Sequence, residues 1–229
     1  MGTRRLQTSR ARAPRGTLAR EQVVRAALDL MSGADSPSLT MKRVADALNT
    51  RPMSLYSHVE NREDLVHAAA DLALREWVVE IPRRAGWERQ IRVWCESLRN
   101  CIRLYPALVW EIARSGKFHP ALLEKTALLS RSLRRTGIDD RARADLLRWI
   151  PQTVLGAIVL ELSRPTDLQS GGDEASAIYA SIGSLTPEDR AEFASVLPHF
   201  SDKSLDDLFE FSIDRLIDGI RAIAKETTA

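Results

Sequence analysis

The chain has 229 residues, of which 44% are apolar and 28% charged, with a formal net charge of +2. This length and composition predict a soluble globular protein with a substantial core. The longest uninterrupted apolar run, residues 154–160, is far shorter than the ~20 residues of a membrane-spanning helix. We therefore expect a cytoplasmic protein with no membrane partner.

The charge is distributed unevenly along the chain. Residues 1–20 carry six arginines and no acidic residue, which leaves a net charge of −4 on the rest. Residues 1–16 have the composition of a disordered tail and lack the apolar core of a secretory signal. A basic arm next to a mildly acidic body predicts a local contact with a polyanion.

Four helices are predicted in the first third of the chain, from apolar residues at helical spacing. Thr40 and Asn61 are typical N-caps, and Pro52 suits the first turn of the third helix. The fourth helix should stop before Pro82 and should join the two halves of the chain rigidly. The expected limits are residues 17–33, 40–49, 51–59 and 61–81.

The remainder is also predicted to be helical, and the fold class is therefore all-α. Thr186, followed by Pro187 and two acidic residues, is a strong helix start, and Ser204 begins the last helix. Cys95 and Cys101 do not share a helix face and are expected to be buried thiols in a reducing compartment. Helices are expected at about 87–105, 107–115, 120–136 and 140–163, and after residues 186 and 204.

Three helices with a tight turn between the second and the third are the plan of a helix-turn-helix DNA-binding unit. In the third helix only Leu55 and Val59 face inward, so its other side chains can enter the major groove. Arg51 can pair with a guanine, and Pro52 and Met53 can contact a thymine methyl group. The alternative is a plain packing unit whose polar residues face water, with Tyr56 as a helix-packing aromatic and His58 as a solvated residue. The predicted DNA-binding residues are Thr40, Met41, Lys42, Arg51, Pro52, Met53, Ser54, Tyr56, His58 and Arg62.

Residues 39–65, LTMKRVADALNTRPMSLYSHVENREDL, resemble the DNA-binding domain of TetR-family repressors. The Tyr-x-His-Val spacing is most similar to the tetracycline-repressor branch. Asn49 stands where the family usually has Gly, and because Asn tolerates a left-handed backbone we expect the turn to survive. Arg62 stands where Lys is commoner. The base-reading residues differ from those of the tetracycline repressor, so we expect another operator. The matching positions are Leu39-Thr40, Val44-Ala45, Leu48, Leu55-Tyr56, His58-Val59, Asn61-Arg62 and Leu65.

The resemblance implies three regions: a basic arm (1–16), a helix-turn-helix domain (17–62) and an effector-binding and dimerisation domain (63–229). SLDDLFEFSIDRLIDGI near the C-terminus is similar to the final, dimer-forming helix of that branch. The predicted helix 140–163 is apolar nearly all round and must be buried on more than one face. It is either a central core helix of a monomer or, as the resemblance implies, part of a four-helix dimer interface. The predicted interface residues are Val154, Ile158, Leu162, Phe209, Ile213, Leu216 and Ile220.

The resemblance also implies an effector cavity in the C-terminal half. Aromatic residues are abundant there, which predicts a largely apolar effector, although any one of them can equally be a core residue. Pro151 is expected to kink its helix near this cavity. The predicted ligand-binding residues are Trp94, Leu98, Trp110, Phe118, Leu147 and Trp149.

The expected function is that of a ligand-responsive transcriptional repressor, located at the nucleoid, that binds a palindromic DNA operator as a homodimer and is released by a small molecule. No cofactor, catalytic residue or metal site is predicted. An all-α enzyme is one alternative, disfavoured because the sequence has no Gly-x-Ser-x-Gly, phosphate loop or metal-spaced histidines. A non-specific architectural DNA binder is another, and the acidic body argues against it.

Overall fold

The computed structural model describes residues 18–33, 39–107, 109–110, 119–163, 181–199 and 204–228. These residues form helices and no strand, so the all-α prediction is confirmed for this part of the chain. The predicted basic arm, most of the predicted helix 107–115 and Phe118 lie outside it. The helices are α1 (Arg20–Leu30), α2 (Met41–Ala47), α3 (Pro52–Leu55), α4 (Arg62–Glu76), α5 (Trp87–Leu104), α6 (Pro120–Arg134), α7 (Asp140–Leu162), α8 (Pro187–Val196) and α9 (Leu205–Thr228).

The predicted helix starts are confirmed by side-chain caps. The Thr40 hydroxyl accepts the backbone N–H of Arg43 at 3.2 Å, and the Asn61 carbonyl oxygen accepts that of Asp64 at 2.8 Å. Thr186 and Ser204 cap α8 and α9 in the same way. Each cap satisfies a backbone donor that a helix leaves unpaired at its N-terminus.

Two hydrophobic cores share α4. The first core is formed by α1 to α3 together with the α4 residues from Leu65 to Ala73, so it extends beyond the boundary predicted at residue 62. The second core begins with Leu74 and includes the buried residues of α5, α6, α7 and α9. One helix therefore connects the packing of the two halves, as expected from the sequence.

The predicted end of α4 is wrong. The helix stops at Glu76, five residues before the expected limit, and Trp77 has an extended backbone. The buried indole of Trp77 lies edge-on against Trp94 of α5, with ring centroids 5.6 Å apart. Packing of this side chain in the second core accompanies the early exit from the helix.

Most residues predicted for the dimer interface lie inside the subunit, because α7 and α9 pack on each other and on α5. A side chain without exposed surface has none to bury against a second subunit, so these are core residues of one subunit and not interface residues. Leu162, the seventh, is half-buried. The six with at most 3% exposure are Val154, Ile158, Phe209, Ile213, Leu216 and Ile220.

Helix α7 is continuous from Asp140 to Leu162, with Pro151 inside it.

Within the described residues, none of the helices combines the length and apolar character that crossing a bilayer requires.

Candidate nucleic-acid interface

The short helix α3 is anchored by two apolar side chains and presents the others outward. Leu55 is fully buried in the first core, and Val59, just after the helix, is 3% exposed. Arg51, Pro52 and Ser54 are exposed, and Met53 keeps 77% of its surface. The outward side chains of α3 are therefore not used in packing the first core.

The turn between α2 and α3 has the left-handed residue that the sequence predicts. Asn49 has a φ of 51°. The N–H of Thr50 donates to the carbonyl of Ala45 at 2.9 Å, and the N–H of Asn49 donates to that of Asp46 at 3.1 Å. These two bonds form a Schellman motif, which ends α2 and redirects the chain into α3. The expectation that the turn survives with Asn in place of Gly is confirmed.

Arg20 holds the C-terminal end of the α3 segment in place, a role that was not predicted from the sequence. Its guanidinium donates to the carbonyl of His58 at 2.7 Å and pairs in a two-pronged way with the Asp64 carboxylate at 3.2 and 3.3 Å. The hydrogen bond to Asp64 raises the pKa of Arg20. The start of α1 therefore holds the end of the α3 segment against the start of α4.

The remaining predicted DNA contacts surround α3. Lys42 and Thr40 are exposed on the first turn of α2, with the Thr40 hydroxyl also acting as its cap. Tyr56 has 47% of its surface exposed, whereas Met41 and His58 are half-buried.

Arg62 is directed partly toward its own subunit. Its Nε donates to the carbonyl of Leu39 at 2.8 Å, which braces the segment before α2. This structural bond, across 23 residues, was not predicted from the sequence.

Of the predicted ligand-binding residues, three belong to the second core or pack against it, and Phe118 lies outside the described residues. Trp94 is buried and donates its indole N–H to the Lys125 carbonyl at 2.9 Å, as a packing residue does. Leu98 is buried in the same core, and Leu147 packs against that core half-buried. Trp149 is partly exposed beside Gly219 of α9. Trp110 lines a cavity of about 270 Å³ together with Pro106, Val109 and residues at the end of α7.

A polar contact joins the middle of α4 to the start of α6. His119 is 1% exposed, and its Nδ1 lies 3.1 Å from a carboxylate oxygen of Asp71 on α4. The His67 and His119 rings are 4.4 Å apart at their centroids. The C-terminal half therefore contacts α4 near the middle of that helix.

Metal or thiol chemistry finds little support in the described residues. They contain no group of three His, Cys, Asp or Glu side chains arranged to hold a metal ion. Burial raises the pKa of the Cys95 thiol to about 12 and that of the Cys101 thiol to about 11. Both thiols are therefore protonated near neutral pH and are poor nucleophiles.

Comparison with known proteins gives the same assignment as the geometry. No family model matches the sequence. The chain is 23% identical over 223 residues to the HTH-type transcriptional repressor DrrR1 of Streptomyces coeruleorubidus. The alignment covers 94% of this chain and 82% of that protein. It is 27% identical over 180 residues to an HTH-type transcriptional repressor of Mycobacterium tuberculosis, covering 74% of this chain and 67% of that protein.

Two solved structures share the fold along nearly their whole length. Apo ActR from Streptomyces coelicolor, a TetR family protein, has a TM-score of 0.73 at 24% identity, covering 94% of this chain and 99% of that one. BioQ with its double-stranded DNA operator has a TM-score of 0.62 at 25% identity, covering 90% of this chain and 99% of that one. The chain therefore has the fold of TetR family regulators and is similar in sequence to HTH-type transcriptional repressors.

The exposed residues around α3 are the candidates for DNA recognition. The similarity to the tetracycline-repressor branch stays a prediction, since none of the relatives identifies that branch. ActR has also been solved in complex with actinorhodin, so at least one protein of this fold holds a small molecule.

Proposed function

We propose that this regulator is a repressor that binds a palindromic operator as a homodimer and leaves it when a small-molecule effector binds. The observation that carries the proposal is the α3 segment, in which two buried side chains hold a helix whose other side chains are exposed. Relatives named as repressors and the operator complex of BioQ support this reading. Such a protein would act at the nucleoid.

Recognition is divided between base contacts and phosphate contacts. Arg51 stands at the N-terminal end of α3, where residues meet base edges in this geometry. An arginine there can donate two hydrogen bonds to a guanine, and Ser54 can bond to either member of a base pair. Tyr56, Lys42 and Thr40 lie at the margin of this surface and are proposed to contact phosphates.

The homodimer is proposed to use the outer face of α7 and α9. Trp149, Gly156 and Leu160 are exposed and spaced by seven and four residues, so they form one exposed stripe along α7. Leu160 keeps 71% of its surface, and Gly156 has open space where a side chain would project. A second α7 can approach closely at this glycine. Phe211 adds an exposed aromatic ring from α9.

Release is proposed to pass through α4. The Arg20 bonds tie the start of this helix to α3, and the His119 contact ties its middle to the C-terminal half. An effector that favours another position of α4 would move the α3 helices of the two subunits out of register with successive major grooves. A coupling of ~1–3 kcal/mol between effector and operator is typical. A largely apolar effector remains the proposal, with Trp110 as its best-placed contact.

The test is fluorescence anisotropy of the full-length protein with a duplex from the DNA upstream of its own gene. The control is a shuffled duplex of the same length and composition, at the same salt concentration. We expect affinity for the upstream duplex to be about 10³-fold or more above that for the control. Equal affinities would favour the architectural DNA binder, and no binding to either duplex would reopen the enzyme alternative.

A further inference from the structure

A groove on the C-terminal half is lined by arginines from two separate elements. Its volume is about 720 Å³, and it lies between α6 and the loop that follows α4. Arg83 comes from that loop, and Arg131 and Arg135 come from the last turn of α6 and the residue after it. Glu80 is the one acidic residue on the groove wall, so the lining carries a net positive charge.

The arginines of this groove have no carboxylate partner among the described residues, unlike several other arginines of the same half. Arg99, for example, lies 2.8 Å from Glu161, and Arg143 lies 2.6 Å from Asp140. Among the described residues, Arg83 and Arg131 form no salt bridge or hydrogen bond. Arg135 donates to the backbone carbonyl of Ala85 at 2.9 Å, which holds it across the groove without neutralising its charge.

Helix electrostatics explain part of this arrangement but not all of it. Arginines in the last turn of a helix are stabilised by the negative end of the helix dipole, which applies to Arg131 and Arg134. The dipole gives no reason for Arg83, from another element, to face the same space. Arg134 is equally near the helix end and does not line the groove.

The floor of the groove is apolar and firmly built. Val79, Ile81 and Leu128 line it half-buried. Gln90 is 4% exposed and donates its side-chain amide to the Pro82 carbonyl at 3.0 Å, so the loop is fixed to α5. A concave apolar surface with a few convergent polar groups is the usual form of a small-molecule site, and the volume lies in the usual range.

We propose that this groove binds an amphipathic organic anion: an apolar body lying on Val79, Ile81 and Leu128, with a carboxylate, sulfonate or phosphate group held by Arg131, Arg135 and Arg83. Guanidinium groups suit such anions because they donate parallel hydrogen bonds to two oxygens. The site is separate from the cavity that Trp110 lines. It does not depend on DNA binding by α3.

The experiment compares two fluorescent probes that share one ring system. 1-Anilinonaphthalene-8-sulfonate carries a sulfonate, and N-phenyl-1-naphthylamine is the same body without it. Both are titrated into the full-length protein, into Arg131→Gln/Arg135→Gln, and into Arg134→Gln/Arg141→Gln. The last variant removes the same charge from exposed positions outside the groove.

We expect the affinity of the groove variant for the sulfonate probe to be lower than that of the wild type by about tenfold or more, because charge-assisted hydrogen bonds are lost. Its affinity for the neutral probe should stay within about twofold, and the control variant should match the wild type with both probes. Equal weakening of both probes, an unchanged sulfonate affinity, or a wild type that does not bind the sulfonate probe would overturn the proposal.

A second variant protects the test against misfolding. Arg83→Gln removes a loop side chain that makes no described hydrogen bond, so it should fold normally and still weaken the sulfonate probe. Operator binding is measured separately without any probe. Loss of operator recognition with intact sulfonate selectivity would count against the proposed function alone, and the reverse result would count against the groove alone.

Discussion

Arg51 has the combination of position and freedom that base recognition requires. It is the N-cap residue of α3, but its side chain makes no capping bond and is exposed. Replacing it with Ala should cost roughly 1–3 kcal/mol of operator affinity and relax the preference at one base pair. Anisotropy on duplexes substituted one position at a time measures this. Arg134→Ala, remote from α3, is the control. Equal weakening on every duplex would contradict base reading.

Arg62 combines a structural bond with a predicted phosphate contact, and the two roles can be separated. Arg62→Ala should lower the melting temperature, because the Leu39 carbonyl loses its donor at 2.8 Å. It should also reduce the slope of log affinity against log salt by about one for each subunit bound. Arg62→Lys, which keeps the charge, should preserve the slope. A slope unchanged in the Ala variant would leave Arg62 with the structural role only.

The outward orientation of the α3 residues could be predicted from the sequence, whereas the hydrogen bonds that hold this segment in place could not. Two inward apolar positions and a proline in the first turn are local patterns, and they correctly indicate which side chains face outward. The Arg20–Asp64 pair and the Arg62–Leu39 bond join residues 44 and 23 positions apart. Such bonds depend on how α1, α2 and α4 approach one another, and local spacing contains no information about that.

At the scale of elements, the α2–α3 turn offers a direct test of backbone conformation. Asn49 has a positive φ of 51°, which Ala adopts only with a penalty and Gly adopts freely. Asn49→Ala should therefore destabilise the fold by about 1 kcal/mol, while Asn49→Gly should be close to neutral. Urea unfolding of both variants gives the comparison. Ala and Gly variants of equal stability would show that the left-handed turn contributes nothing.

Helix limits were predicted well where local chemistry sets them and poorly where packing does. Thr40, Asn61, Thr186 and Ser204 cap helices as their sequence context indicates. The end of α4 differs because it coincides with the packing of Trp77, just after the helix, on Trp94 of α5. The same reason applies to the predicted dimer residues: an apolar stripe shows that a face is buried, but not whether its own subunit or a partner buries it.

At the scale of the whole molecule, the two cores meet in α4, and this arrangement lets a change in one half reach the other. Residues from Leu65 to Ala73 belong to the first core, while Leu74 and Trp77 belong to the second. A shift of α4 that repacks one core must therefore disturb contacts of the other. In the proposed function, this coupling changes the separation of the α3 helices of two subunits, and the proposal therefore needs a dimer.

The outer stripe of α7 provides the decisive test of that dimer. Leu160 is 71% exposed in the subunit, so Leu160→Arg should fold normally, yet it would place a charge in the proposed interface. Sedimentation should change from about twice the chain mass of 25.6 kDa to the mass of one chain. Operator affinity should fall by about 10²–10⁴, the advantage that two linked half-site contacts give. Leu123→Arg, at another exposed leucine, on α6, should change neither quantity. A Leu160→Arg protein that stays dimeric would move the interface away from this stripe.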